Sequence, residues 1–259
     1  MTSYREYARE IIEAESRAVA DLAARLDESF DRAVEAIGAC TGRVIVSGMG
    51  KSGLVGKKMV ATFNSTGVAS FFLHPAEAIH GDLGLMKSED ILLLISKSGR
   101  LAEAELVVAA ARRLGVTIVG LTGTMESELS ERVDIVLDCS VSREACPNNL
   151  VPTSSSTVAL VMGDALAMAL LKANNFTPED FAQLHPGGAL GFRLLKRVSE
   201  LHHTGDAIPR VAPETPINEL ILEMTSKRLG CVLTTDQSDH VSGIFTDGDL
   251  RRLVEKRPD

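Results

Sequence analysis

The chain has 259 residues, 45% of them hydrophobic, enough to bury the core of one large domain or two smaller ones. A formal charge of −8, a pI near 5.3, two Tyr, no Trp and no basic stripe argue against nucleic acid or an anionic membrane as partner. Met1 to Ala18 alternates charges and holds no apolar stretch of signal-peptide length.

The spacing of Ile11, Ile12, Val19, Leu22, Leu26, Phe30, Val34 and Ile37 predicts one long opening helix over Tyr4 to Ile37, a packing or oligomer face. A strand-like run, Val44 to Ser47, then meets Gly48-Met49-Gly50-Lys51-Ser52-Gly53, which leads straight into a helical pattern. Glycines there let the backbone approach a ligand, the first helical N–H groups are unpaired, and Lys51 and Ser52 add a charge and a hydroxyl. The spacing matches neither the P-loop nor the dinucleotide fingerprint, and such a turn also serves as plain punctuation.

Further strand-like runs fall at Ala69 to Leu73, Ile91 to Ile95, Thr117 to Leu121 and Asp134 to Leu137, separated mostly by helical patterns. Alternation of this kind predicts a mostly parallel α/β sheet covered on both faces. Ile91 to Ile95 ends in Ser96-Lys97-Ser98-Gly99-Arg100, after which Glu103 to Arg113 reads as a helix. Ser96 and Ser98 then either share an anion with the first glycine turn, beyond the carboxyl ends of the strands, or cap the helix. Helices are expected over Ser155 to Ala173 and around Leu190 to Val198. The longest apolar helix pattern, Thr157 to Leu171, is short for a membrane span and contains Asp164. Cys40, Cys139, Cys146 and Cys231 form no CxxC pair or metal spacing and read as reduced, mostly buried thiols of a cytoplasmic protein.

Near His202 to Asp206 the pattern changes to a helix, Ile217 to Lys227, and short strands, Cys231 to Thr234 and Val241 to Phe245. This divides the chain into residues 1–200 and 203–259, the second unit too small to be more than marginal alone.

Seven motifs carry a family resemblance: Gly48-Met49-Gly50-Lys51-Ser52-Gly53, Thr62-x-x-Ser65-Thr66-Gly67, His74-Pro75-Ala76-Glu77-Ala78-x-His80-Gly81-Asp82-Leu83-Gly84, Glu144-Ala145-Cys146-Pro147, Pro152-Thr153-Ser154-Ser155-Ser156-Thr157, Met162-Gly163-Asp164-Ala165-Leu166-Ala167 and His185-Pro186-Gly187-Gly188-Ala189-Leu190-Gly191. In this order they resemble the arabinose 5-phosphate isomerases, in which a sugar isomerase (SIS) domain precedes a pair of cystathionine β-synthase (CBS) modules. The resemblance implies a three-layer α/β/α SIS domain with a mostly parallel five-stranded sheet over residues 1–200. Gly243 to Arg251 is similar to the end of a first CBS module, so residues 203–259 form an incomplete CBS region whose second module is missing from the sequence.

What the resemblance implies about function is an aldose–ketose isomerase that interconverts D-ribulose 5-phosphate and D-arabinose 5-phosphate through a cis-enediol. The product supplies the octulosonate sugar of lipopolysaccharide or capsule. Lys51, His80, Glu103, Glu144 and His185 are placed around the substrate by matching the motifs. Glu144 is the first choice for the carbon base and Glu103 the second; His80 and His185 handle oxygen protons and ring opening, and Lys51 the phosphate or enediolate charge. Gly50, Ser52, Ser65, Thr66, Ser96, Ser98 and Thr153 are the expected substrate and phosphate contacts. Without the resemblance, Glu103 reads as a carboxylate favouring a helix N-terminus, Glu144 as a solvated loop residue, and the two His as turn residues. Neither a cofactor nor a metal is expected, and the active site is expected between subunits of a homotetramer. A nucleotide or sugar nucleotide is the expected regulator at the CBS region. The chain departs from the family where Glu and a Ser or Thr usually follow Ser98-Gly99: Arg100 and Leu101 stand there, and the hydroxyl is lost. Rival readings are another SIS-fold sugar-phosphate isomerase or a non-catalytic sensor, though Met1 to Ile37 lacks the length and basic charge of a DNA-binding helix-turn-helix.

Overall fold

The structure, a computed structural model, describes residues 3–256; Met1, Thr2 and residues 257–259, the outer ends of the two expected domains, lie outside it. The chain divides into two compact units between Leu195 and Lys196. The short helix Val198–Leu201 therefore belongs to the second unit, and the division falls before the His202 to Asp206 segment that the composition marks.

In chain order the first unit contains α1 (Tyr4–Ala24), α2 (Glu28–Gly38), β1 (Val44–Gly48), α3 (Gly50–Ser65), β2 (Ser70–Leu73), α4 (Pro75–Ala78) and β3 (Ile91–Ser96). There follow α5 (Glu105–Leu114), β4 (Thr117–Thr122), α6 (Glu128–Arg132), β5 (Ile135–Asp138), α7 (Ser154–Ala173), α8 (Pro178–Leu184) and α9 (Ala189–Leu195). The expected single opening helix is two. Asp27 breaks it, its carboxylate accepting the Ser29 N–H at 2.9 Å, so a short acidic side chain starts α2 instead of continuing α1.

All five strands of the first unit are parallel, in the order β2-β1-β3-β4-β5. Their central members are apolar runs because both faces are covered: Ile91 to Ile95 are all buried. Side-chain alternation divides these runs between two cores. Val44, Val46, Leu93, Val119 and Leu121 face α1, α2, α3 and α7, whereas Ile45, Leu92, Leu94 and Ile118 pack with Ala78, Val107, Val108 and Leu129 from α4, α5 and α6. Helix α7, at 20 residues with mean hydropathy 1.5, starts one residue before the expected Ser155 and is long enough to cross a bilayer. Its Val158, Met162, Leu166 and Leu170 are instead buried with α1, α2 and α3 as the spine of the first core.

From β1 the chain passes to β2 on one side and then back to β3 on the other. The carboxyl ends of β1 and β3 consequently flank the point where strand order reverses, which is where open α/β sheets hold their ligands.

The second unit consists of α10 (Val198–Leu201), β6 (Arg210–Val211), α11 (Ile217–Lys227), β7 (Cys231–Thr235), β8 (Val241–Thr246) and α12 (Asp247–Lys256). Its sheet, in order β6-β7-β8, is part parallel and part antiparallel. The core is small: Leu220, Met224 and Val232 are its buried residues, and Leu222, Ile244 and Val254 are exposed.

Candidate functional site

The glycine turn after β1 opens α3. Gly50 takes φ +55°, and Met49 at the N-cap supplies no side-chain hydrogen bond. There is no acidic residue in the first turn, so the partial positive charge of a 16-residue helix is left uncompensated. Gly53 brings the helix hard against the strand, since a Cβ there would stand 2.7 Å from the Gly48 carbonyl oxygen. Beside this N-terminus lies a cavity of about 240 Å³, lined among others by Lys51 and Ser52 from α3, Lys97 after β3, Gly123 after β4, and Ser155 and Ser156 from α7. That volume suits a small metabolite rather than a drug-sized ligand.

The turn after β3 is folded on itself. Ser96 Oγ donates to the Arg100 carbonyl at 3.1 Å, Ser98 Oγ accepts the Arg100 N–H at 3.3 Å, and the Gly99 N–H donates to the Ser96 carbonyl at 3.2 Å. Gly99 has φ +67° and a Cβ there would collide with Ser127 at 2.2 Å, so only glycine fits. Helix α5 begins at Glu105, two residues later than expected, and its N-cap position, Ala104, offers no side chain to cap it. Ser96 and Ser98 are thus turn-forming hydroxyls, neither caps of α5 nor lining of the cavity. Leu101 is fully buried in the second core, and its N–H donates to Glu128 Oε2 at 3.1 Å. Its departure from the family pattern is therefore a packing choice: a hydroxyl at this position would face Leu94 and Val108 of the core rather than a ligand.

Glu144 is not a solvated loop residue. Its side chain is 1% exposed and is surrounded by donors. Oε1 accepts Ser155 Oγ at 2.5 Å and Lys97 Nζ at 2.8 Å; Oε2 accepts the Thr153 N–H at 2.8 Å, the Ser155 N–H at 3.1 Å and the Thr153 hydroxyl at 3.3 Å. Burial pushes this carboxyl up, but the Lys97 ammonium, the Ser155 hydroxyl and the two N–H groups outweigh it and hold the pKa at about 2. The two long helices thus differ at their N-termini: that of α7 is filled by Glu144, and that of α3 has no acidic residue in its own first turn. A carboxylate with a pKa near 2 and five donors is a weak acceptor for a carbon-bound proton, which counts against Glu144 as the base.

The other expected residues divide by end of the sheet. Glu103 is exposed between β3 and α5, and His80 is exposed beyond β2, its N–H donating to the Glu77 carbonyl at 2.9 Å. Both lie at the carboxyl end, although neither lines the cavity. Thr153 spends its N–H and hydroxyl on the Glu144 segment and does not line this cavity either. Ser65 and Thr66 sit at the C-terminal end of α3, about 22 Å from Gly50 at the rise of an α-helix. The Thr66 hydroxyl donates back to the Thr62 carbonyl at 3.0 Å, and His185 Nε2 lies 3.3 Å from Ser65 Oγ with its ring stacked on Phe181. Within one chain, then, Ser65, Thr66 and His185 cannot meet the ligand that Gly50 and Ser52 would hold. Ser155, Ser156 and Gly123 were missed as lining residues; the one sequence signal was the Ser-rich start of α7, Pro152 to Thr157.

Among the described residues no group of three or more His, Cys, Asp or Glu is arranged to hold a metal ion. All four cysteines are unpaired, and only Cys139 is buried, so the thiols are less buried than expected. Burial pushes the Cys139 thiol up to about 12.

A parallel sheet with a helix N-terminus, two lysines and hydroxyls at its strand-reversal point defines an α/β domain with a site suited to an anion, and residues 39–169 match the SIS domain family. Arabinose 5-phosphate isomerase KdsD of Salmonella typhi is 48% identical over 252 residues, covering 97% of this chain and 77% of the relative. The enzyme of the same name from Pseudomonas aeruginosa is 50% identical over 249 residues, covering 96% and 76%. An Escherichia coli CFT073 protein, solved in complex with arabinose 5-phosphate, superposes with a TM-score of 0.69 at 36% identity, covering 72% of this chain and all of that one. The chain belongs to the arabinose 5-phosphate isomerase family of SIS-domain proteins.

Proposed function

We propose that the protein interconverts D-ribulose 5-phosphate and D-arabinose 5-phosphate. The observation that carries this reading is the match of 48–50% identity along nearly the whole chain to relatives bearing that activity in their names. The free N-terminus of α3, facing a metabolite-sized cavity with Lys51 and Ser52, supports it by offering a place for a phosphate dianion.

Isomerisation moves a proton between C1 and C2 through a cis-enediol and shuttles protons on the two oxygens. Glu103 is the base in this reading: it is exposed at the same end of the sheet as the cavity, although it does not line the cavity wall, and among the described residues no hydrogen bond holds its carboxylate. Glu144 anchors the start of α7, and Lys51 stabilises phosphate or enediolate charge. His80 and His185 transfer the oxygen protons. His185, about a helix length away from the cavity, serves the site of another subunit, which makes the working protein a homo-oligomer, read as a tetramer. The second unit is a CBS module that takes a nucleotide or sugar nucleotide. Product feeds the octulosonate branch of lipopolysaccharide or capsule synthesis, in the cytoplasm, a reducing compartment that suits four unpaired cysteines.

The test is turnover of purified protein with ribulose 5-phosphate against hexulose 6-phosphate, with solvent deuterium entering the product at the transferred carbon. Turnover of hexulose 6-phosphate alone would assign a different substrate to the same fold. Loss of deuterium incorporation in Glu103→Gln, with substrate still bound, is expected; incorporation at the normal rate would return the base to Glu144.

A further inference from the structure

We infer that Lys97 is the residue that grips the substrate's phosphate from the β3 side of the cavity, and that Glu144 is the positioning residue that aims it. This rests on the sugar-phosphate reading above. The cavity needs donors on two sides to enclose an anion. On one side stands the free N-terminus of α3 with Lys51 and Ser52. On the other stands the turn after β3, most of whose groups are engaged within the protein. Its Ser96 hydroxyl and Gly99 N–H are bonded within the turn, Ser98 Oγ accepts the Arg100 N–H and keeps its own O–H, the Leu101 N–H goes to Glu128, and the Leu101 side chain is in the core. Lys97 is the residue of that turn that lines the cavity, and it is half exposed at 48%.

Its ammonium has three donors, of which Glu144 Oε1 takes one at 2.8 Å, and the other two are available to an incoming anion. Glu144 is itself fixed by Ser155 and by the backbone of Thr153 and Ser155, so the lysine's flexible stem is tied to a rigid helix end before any ligand arrives. A tethered lysine has already lost much of the rotamer freedom that binding would otherwise remove. The ligand class is a phosphate monoester dianion. A contact at this end of the substrate, remote from the reacting carbons, is made equally in the ground and transition states.

The experiment uses the full chain and reads inorganic phosphate binding by calorimetry together with steady-state kinetics on ribulose 5-phosphate. Lys97→Met is expected to weaken phosphate binding tenfold or more and to raise KM similarly, with kcat within about threefold. Lys97→Arg recovers most of the loss, and Lys87→Met, which removes a charge at the opposite end of the sheet, leaves both readouts unchanged. The double variant Lys97→Met/Glu144→Gln stays as weak as Lys97→Met. Recovery of phosphate binding in the double variant would mean that the loss came from an uncovered Glu144 charge, and would overturn the assignment. A fall in kcat at constant KM, or equal phosphate affinity in wild type and Lys97→Met, overturns it too. Because phosphate binding needs no turnover, an inactive wild type would sink the isomerase reading while leaving the lysine tested.

Discussion

Glu144 makes a quantitative prediction about acid stability. Its carboxyl sits at about 2 in the folded chain against 4.5 ordinarily. At about 1.4 kcal/mol per pH unit this difference amounts to about 3 kcal/mol of stability at neutral pH. Because Lys97, one of the groups responsible, is half exposed and screened by solvent, about 2 kcal/mol is the better figure. The pKa is lowered on folding, so the stabilisation is complete above about pH 5, declines as pH falls below 4.5, and is gone once pH passes about 2. Glu144→Gln removes the charge but keeps an acceptor for the Thr153 and Ser155 N–H groups. It is therefore expected to lower the unfolding free energy by about 2 kcal/mol at pH 7, and by less than about half of that at pH 3. Urea titration followed by far-ultraviolet circular dichroism suits a chain without Trp, and the difference between wild type and variant at each pH cancels contributions from the second unit. A gap between the two proteins that is equally large at pH 3 and pH 7 would refute the reasoning, as would a variant more stable than wild type at pH 7, the outcome when desolvation exceeds the ion-pair gain.

Leu101→Thr is expected to destabilise the first unit by about 2 kcal/mol or more without lowering KM, because it puts a hydroxyl into a fully buried apolar site; a lower KM would show that this position faces the ligand. Gly53→Ala should weaken phosphate binding and lower the melting temperature, since its Cβ would press on the Gly48 carbonyl oxygen at 2.7 Å and no flexible side chain can yield. Glu103→Gln is expected to cut kcat about 100-fold or more, and Glu144→Gln much less, as read by single-turnover kinetics. A chain ending at residue 200 should keep isomerase activity, because every proposed catalytic residue precedes Leu195; a folded but inactive truncation would count the second unit as part of the enzyme.

Strand positions were legible in the sequence because a sheet buried on both faces demands apolar runs, and Val44 to Val46, Ile91 to Ile95 and Ile118 to Leu121 are such runs. The glycine turn before α3 was legible for a similar reason: only glycine fits where a Cβ on residue 53 would stand 2.7 Å from the Gly48 carbonyl oxygen. Family motifs carried the rest of the sequence reading, and they name residues without placing them. The start of a second helix at Asp27 was missed for a local reason, since capping competes with helix continuation on nearly equal terms, and tertiary structure decided only where the two helices pack. It also decided that Leu101 belongs to the core, that Ser96 and Ser98 bond within their own turn, and that His185 and Ser65 stand at the far end of α3. Glu144 shows the physical reason most clearly. A carboxylate's chemistry depends on how many donors converge on it, and Lys97, Thr153 and Ser155 reach it from separate segments that only the folded sheet brings together.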